Sequence, residues 1–137
     1  MDMIIRTATP ADLPFLAEHD RHITPAELDS SIRLGRVLVI GTANGEPAGW
    51  LRWNLFWDNT PFMNMLYLLD GHRLQGYGRA LASHWEQLMR EKGYPAVMTS
   101  TQADEGAQHF YRHLGYKDIG GFLQPEESYE LILFKAL

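Results

Sequence analysis

Leu66-Tyr67-Leu68-Leu69-Asp70-Gly71-His72-Arg73-Leu74-Gln75-Gly76-Tyr77-Gly78-Arg79-Ala80-Leu81 is the stretch on which the fold turns. An apolar run, as expected of a strand covered on both faces, enters a short polar turn. Two glycines one residue apart follow, and then a long helical periodicity begins. In that helix Leu81, Trp85 and Leu88 recur at i, i+4 and i+7, while Arg79, Ser83, Glu86 and Arg90 fall largely off the stripe. A helix start exposes unpaired N–H groups and the positive end of its dipole, so it suits an anion. Gly76 and Gly78 let a phosphate approach the backbone, and Arg73 and Arg79 flank the turn with charge. Taken alone, Gly-x-Gly serves a plain tight connection equally well. No Gly-Lys-Ser/Thr follows, so this is not a Walker phosphate loop.

Working outward, residues 3–7 are expected as a first strand. Thr9-Pro10-Ala11-Asp12 opens a helix, and Thr24-Pro25-Ala26-Glu27 opens a second with glutamate in capping-box position, running to about Leu34 before Gly35. Arg36–Thr42 and Ala48–Trp57 form a hairpin around Asn44-Gly45. Asp58-Asn59-Thr60-Pro61 is the next turn, leading to a strand over Phe62–Leu69. The long helix spans Gly76–Lys92 and stops at Gly93. Pro95–Ser100 is a strand, and a helix over about 104–114 places Ala103, Ala107, Phe110 and Leu114 on one face. Two strands, about 116–123 and 128–135, flank the turn Gln124-Pro125-Glu126-Glu127. The order β-α-α-β-β-β-α-β-α-β-β implies one α+β domain over 1–137, a mixed sheet with helices on its faces.

Composition agrees with a folded domain. The chain has 137 residues, 45% hydrophobic and 12% aromatic, which supports a conventional core rather than disorder. It has no cysteine, which excludes a disulfide framework or a thiolate zinc site. The net charge of −5, with basic residues scattered among acids, argues against general nucleic-acid binding. No apolar run approaches the roughly 20 residues that span a bilayer. The opening Met1-Asp2-Met3-Ile4-Ile5-Arg6 lacks the apolar core of a signal peptide, so a cytoplasmic location is expected.

Arg73-Leu74-Gln75-Gly76-Tyr77-Gly78 resembles the Arg/Gln-x-x-Gly-x-Gly/Ala acetyl-CoA motif of the GNAT superfamily of N-acetyltransferases. Ala107-Gln108-His109-Phe110-Tyr111-Arg112-His113-Leu114-Gly115-Tyr116 is similar to that family's Ala-x-x-Phe-Tyr-x-x-Leu-Gly-Phe/Tyr segment. The resemblance implies a GNAT-like, mostly antiparallel sheet of about seven strands with about four helices. It implies a transferase of the acyltransferase class that moves an acetyl group from acetyl-CoA, its co-substrate, to a primary amine. That acceptor is a small molecule or a protein N-terminus or lysine.

By the same resemblance, the pantetheine arm lies beside Leu66, Tyr67 and Leu68 like an added strand, and the amide of Leu68 polarises the thioester carbonyl. The diphosphate sits on Gln75 to Ala80, with Gly76, Gly78 and Arg79 central and Leu74 and Tyr77 within the loop. Tyr111 maps to the family's general acid for the departing thiolate; otherwise it is a tyrosine whose hydroxyl finds a backbone partner. Tyr116 falls at an apolar core position.

Two departures stand out. Asp104 takes the place of an asparagine that contacts CoA in many members, so that contact is not carried over, and Asp104 can instead cap the helix. The strand Phe62-Met63-Asn64-Met65-Leu66-Tyr67 lacks the glutamate that often deprotonates the amine. Asp58, Glu27, Asp20 and His22 are the candidate bases, acting directly or through water, unless the amine arrives neutral. That missing glutamate also favours a non-catalytic acyl-CoA-binding sensor on the same fold. Among Trp50, Trp53, Phe56, Trp57 and Phe62, strand alternation sends some to the core, and Trp53 and Trp57 share the parity to form a wall for the amine. His19 and His22 lie near a helix end; His109 and His113 have a zinc-compatible spacing but no third ligand, so no metal is expected. The final hairpin offers an edge on which a homodimer can pair.

Overall fold

The structure, a computed structural model, describes residues 3–137. Met1 and Asp2 of the opening segment lie outside the described residues. β1 (Met3–Thr7) is followed by a 3-10 turn (Pro10–Asp12), α1 (Leu13–His19) and α2 (Pro25–Arg33). Then come β2 (Val37–Thr42), β3 (Pro47–Phe56), β4 (Thr60–Leu68) and α3 (Tyr77–Glu91). β5 (Ala96–Gln102), α4 (Ala107–His113), β6 (Lys117–Phe122) and β7 (Glu130–Ala136) complete the chain. Among the described residues the strands form one seven-stranded sheet in the order β1-β2-β3-β4-β5-β7-β6. The element order is the one expected.

The pair β4 and β5 is parallel, with Phe62 opposite Met98 and Met63 opposite Thr99. Parallel neighbours need a crossover, and α3 supplies it. The flanking ladders β1–β2, β2–β3, β5–β7 and β6–β7 are antiparallel. A mostly antiparallel α+β sheet is therefore the observed class.

Two compact units make up the chain, one of residues through Asn54 with Met65–Trp85, the other Leu55–Asn64 with Glu86–Leu137. In the first, Leu16 of α1 and Leu28 and Ile32 of α2 bury against Val37, Val39 and Trp50, with Met65 and Leu69 beside them. Strand alternation splits the two tryptophans of β3: Trp50 joins this cluster, while Trp53 turns to Trp85 of α3 at 6.4 Å. In the second unit, Val97, Thr99 and Leu133 are buried, as are Tyr111 and Tyr116, whose rings lie 5.7 Å apart.

Several local expectations change. Thr9-Pro10-Ala11-Asp12 makes a 3-10 turn rather than the first α turn, because the Asp12 carboxylate accepts Thr9 N–H at 2.8 Å and both Arg6 nitrogens at 2.8 Å. Thr24 does cap α2, accepting Glu27 N–H at 3.3 Å. Asp104 lies ahead of α4, whose N-cap is Gly106, and accepts the Ser128 hydroxyl at 2.6 Å instead of capping. Glu86, placed off the apolar stripe by sequence, is buried. Its carboxylate accepts Tyr116 Oη at 2.8 Å and Lys135 Nζ at 2.7 Å, which makes burial tolerable.

Candidate functional site

The end of β4 lies against β3 at close range. A Cβ on Gly49 of β3 would collide with the Tyr67 carbonyl and come within 2.7 Å of the Leu68 side chain, so only glycine fits there. Leu69 N–H donates to the Ala48 carbonyl of β3 at 2.8 Å. Alternation along the strand then turns the N–H and C=O of Leu68, and of Leu66, away from β3. These are the groups an added strand would pair with.

Beyond β4 the chain folds back. His72 N–H donates to the Leu69 carbonyl at 3.1 Å, and Gln75 Nε2 donates to the Gly71 carbonyl at 3.0 Å. Leu74 and Gly76 both take left-handed backbone angles, φ 61° and 84°, on either side of Gln75. Residues of opposite hand in succession turn consecutive N–H groups into a common concavity, a nest for an anion. Ala80 N–H donates to the Gly76 carbonyl at 3.0 Å, so the amides of Tyr77, Gly78 and Arg79 in the first turn have no intrahelical acceptor. Nothing would lie within 4 Å of a Cβ at Gly76, so the space above the nest is open. Leu74 pays for this shape. It is a fully exposed leucine at a φ that costs a non-glycine residue about 1–2 kcal/mol.

Arg73 is held at three points. Its Nε donates to the Leu68 carbonyl at 2.9 Å, its guanidinium lies 5.0 Å from the Tyr67 ring centre, and an Nη lies 3.7 Å from Asp70. Tyr67 in turn rests on Trp50, ring centres 5.1 Å apart. Leu66, Tyr67, Leu68 and the run from Arg73 to Ala80 therefore form one continuous feature of the first unit. Inside it, the Tyr77 hydroxyl is buried and, with the Trp85 indole N–H, has no hydrogen-bond partner among the described residues.

In the second unit, α4 carries Tyr111 into the interior. Burial pushes its phenol up to about 12, against an opposing effect of the Thr99 hydroxyl that pairs with it; the nearby Glu105 charge adds slightly. The Thr99 hydroxyl itself donates to the Met63 carbonyl at 2.9 Å. The Tyr111 hydroxyl thus stays protonated over the whole working range of pH.

The candidate bases separate. Asp20 is buried at the end of α1, and its carboxylate accepts Arg52 Nε at 2.8 Å and Nη2 at 3.3 Å, Trp50 Nε1 at 3.1 Å and His22 N–H at 3.2 Å. Four donors thus engage the Asp20 carboxylate within the fold. Glu27, Asp58 and His22 are exposed. Trp57 lies beyond the end of β3, so the strand parity that paired it with Trp53 does not reach it. β3 ends at Phe56, and Trp57 lies in a turn with Asp58, both left-handed at φ 53° and 63°. Trp53 is buried under Arg36 and beside Trp85, whereas Trp57 is 81% exposed. His113 Nδ1 lies 2.7 Å from the His109 carbonyl, and among the described residues no three metal-ligating side chains converge.

The Asp20–Arg52 pair and the Thr99 partner of Tyr111 escaped the sequence reading. A lone arginine within Trp50-Leu51-Arg52-Trp53, on the parity of buried Trp50, was the available sign of a buried counter-charge.

The family described as Acetyltransferase (GNAT) family matches residues 5–116 of the chain. No curated protein matches it by sequence. Among solved structures it is similar to Ard1 from Thermoplasma volcanium, at 18% identity and a TM-score of 0.86, covering 100% of this chain and 99% of that one. The ribosomal-protein-S18-alanine N-acetyltransferase from Escherichia coli aligns at 18% identity and TM-score 0.79, over 98% of this chain and 94% of the other. The PaiA N-acetyltransferase from Thermoplasma acidophilum, solved in complex with coenzyme A, aligns at 16% identity and TM-score 0.78 over 100% of both chains. At these identities the likeness is one of fold.

Proposed function

Because the chain belongs to the GNAT acetyltransferase family, we propose that it is a cytoplasmic N-acetyltransferase taking acetyl-CoA as donor and a primary amine as acceptor. The observation that carries the reading is the open nest at Leu74–Gly76, immediately ahead of the first turn of α3. Its amides from Gln75 to Ala80 suit a diphosphate, and Arg73 and Arg79 add charge. The outward N–H and C=O of Leu66 and Leu68 suit the amides of a pantetheine arm, with Leu68 N–H also aimed at a thioester oxygen. Acetyl-CoA, when bound, would supply an activated acetyl group and a thiolate leaving group.

Tyr111 is the general-acid candidate in this reading, acting on the departing sulfur. Its phenol at about 12 lies above a thiol of about 8.5, so full proton transfer from it is uphill. The role that fits is a hydrogen bond to sulfur as the C–S bond breaks; the attacking nitrogen, cationic in the tetrahedral intermediate, gives its proton to water, which balances the departing thiolate. Asp20 is occupied by Arg52, so the reading leaves the acceptor to reach the site neutral or to lose its proton to water. Acceptors remain a small amine, a protein N-terminus or a lysine, and no nucleic acid, membrane or metal enters the reaction. The final hairpin offers a homodimer edge.

A labelled-acetyl transfer assay across polyamines, amino acids, aminoglycosides and peptides tests the proposal. Transfer to at least one amine, slowed by Tyr111→Phe without matching loss of CoA binding, supports it. Tight CoA binding with no transfer to any amine would instead favour a non-catalytic acyl-CoA sensor.

A further inference from the structure

Arg73 sits where the donor's arm must pass. We propose that Arg73 is a specificity residue that caps the Leu68 edge of β4 and yields it to a donor carrying a diphosphate. The inference rests on the acetyl-CoA reading above. The Leu68 carbonyl faces away from β3, since the next residue's N–H is the one bonded to Ala48. That carbonyl already accepts Arg73 Nε at 2.9 Å. The Tyr67 ring and the Asp70 carboxylate hold the guanidinium over this edge, at 5.0 Å and 3.7 Å. An arm pairing with Leu68 as an added strand therefore meets an arginine first.

The cap is made to be exchanged. The Arg73 side chain is 51% exposed, and its bond to Leu68 is that of a cation to a neutral carbonyl at the surface. A diphosphate seated on the nest at Leu74–Gly76, next in sequence, offers the same guanidinium a charged, bidentate partner, the stronger kind of bond. A donor with a diphosphate thus draws Arg73 from the carbonyl and frees the edge for its own arm. A pantetheine thioester without the nucleotide offers no such exchange and must displace Arg73 at the expense of its contacts. Arg73 in this account opposes short donors rather than merely failing to help them.

Titration calorimetry with S-acetyl-pantetheine and with acetyl-CoA separates these effects. Arg73→Ala is expected to bind S-acetyl-pantetheine about threefold to tenfold more tightly than the wild type, the worth of one exposed hydrogen bond released. The same variant binds acetyl-CoA more weakly, having lost a cation at the diphosphate. Asp70→Asn, which removes the carboxylate 3.7 Å from the guanidinium but keeps the arginine, gains affinity for S-acetyl-pantetheine without losing it for acetyl-CoA. If neither variant gains affinity for S-acetyl-pantetheine, the cap is refuted and Arg73 is a phosphate contact alone. If the wild type binds no acetyl-CoA, the donor assignment itself falls, and the inference with it.

Discussion

Replacing Asp20 by asparagine keeps the shape of the side chain and removes its charge. Asp20 is 2% exposed and Arg52 6%, so the guanidinium would stay in a nearly dry site without a counter-charge. The bonds from Arg52 at 2.8 and 3.3 Å would face a neutral amide, as would those from Trp50 at 3.1 Å and His22 at 3.2 Å. Breaking a buried pair from one side costs about 3–5 kcal/mol. Against a typical total of about 5–15 kcal/mol, that is a large share. Urea unfolding followed by tryptophan fluorescence should therefore show a midpoint lowered by that energy divided by the slope, with the slope itself unchanged. Replacing both partners, Asp20→Leu with Arg52→Met, should recover most of the loss, since the uncompensated charge is gone. A destabilisation of Asp20→Asn below about 1 kcal/mol, the level of a surface ion pair, would refute the reasoning. So would a stable variant that had lost turnover, because Asp20 would then be the base.

Tyr111→Phe should lower kcat about a hundredfold while leaving the Kd for acetyl-CoA within about twofold, as measured by steady-state kinetics and calorimetry. With no carboxylate serving as base, kcat/KM should rise with pH up to the ionisation of the acceptor amine. It should not fall again until Tyr111 loses its proton near about 12, as its raised phenol dictates, so an earlier falling limb counts against Tyr111. Tyr77→Phe removes a buried hydroxyl without a partner and should leave thermal stability equal or raise it by up to about 1–3 kcal/mol; a clear loss would reveal an unseen partner. Asp58→Gly should stabilise the Phe56–Asn59 turn by about 1 kcal/mol, because glycine takes a φ of 63° freely. Urea unfolding reads this directly.

How much was legible follows from how local each signal is. The nest lies in consecutive residues, Leu74 to Gly76, and Gly76 announced one of its left-handed positions; Leu74, the other, carries no such sign, and Gly78 sits in the helix. The element order was legible because apolar periodicity is local too. Contacts between distant residues were not. Asp20 and Arg52 lie 32 residues apart, and nothing near Asp20 announces a buried arginine. Glu86 looks like a solvated helix position until Tyr116 and Lys135, 30 and 49 residues further on, arrive to neutralise it. Trp57 was misplaced by counting parity past the strand's end. The left-handed turn at Trp57 and Asp58 carries no glycine, so nothing in the sequence announced it. The Asn44-Gly45 pair, which did announce a turn, places only Gly45 at positive φ.

The central claim concerns a cradle of backbone amides, so the most direct measurement observes those amides. Titrating the 15N-labelled protein with coenzyme A and following the amide resonances, the account predicts that Gln75, Gly76, Tyr77, Gly78, Arg79 and Ala80 shift most, together with Leu68. If these resonances stay in place while the cofactor is in excess, or the shifts cluster elsewhere, the account is contradicted.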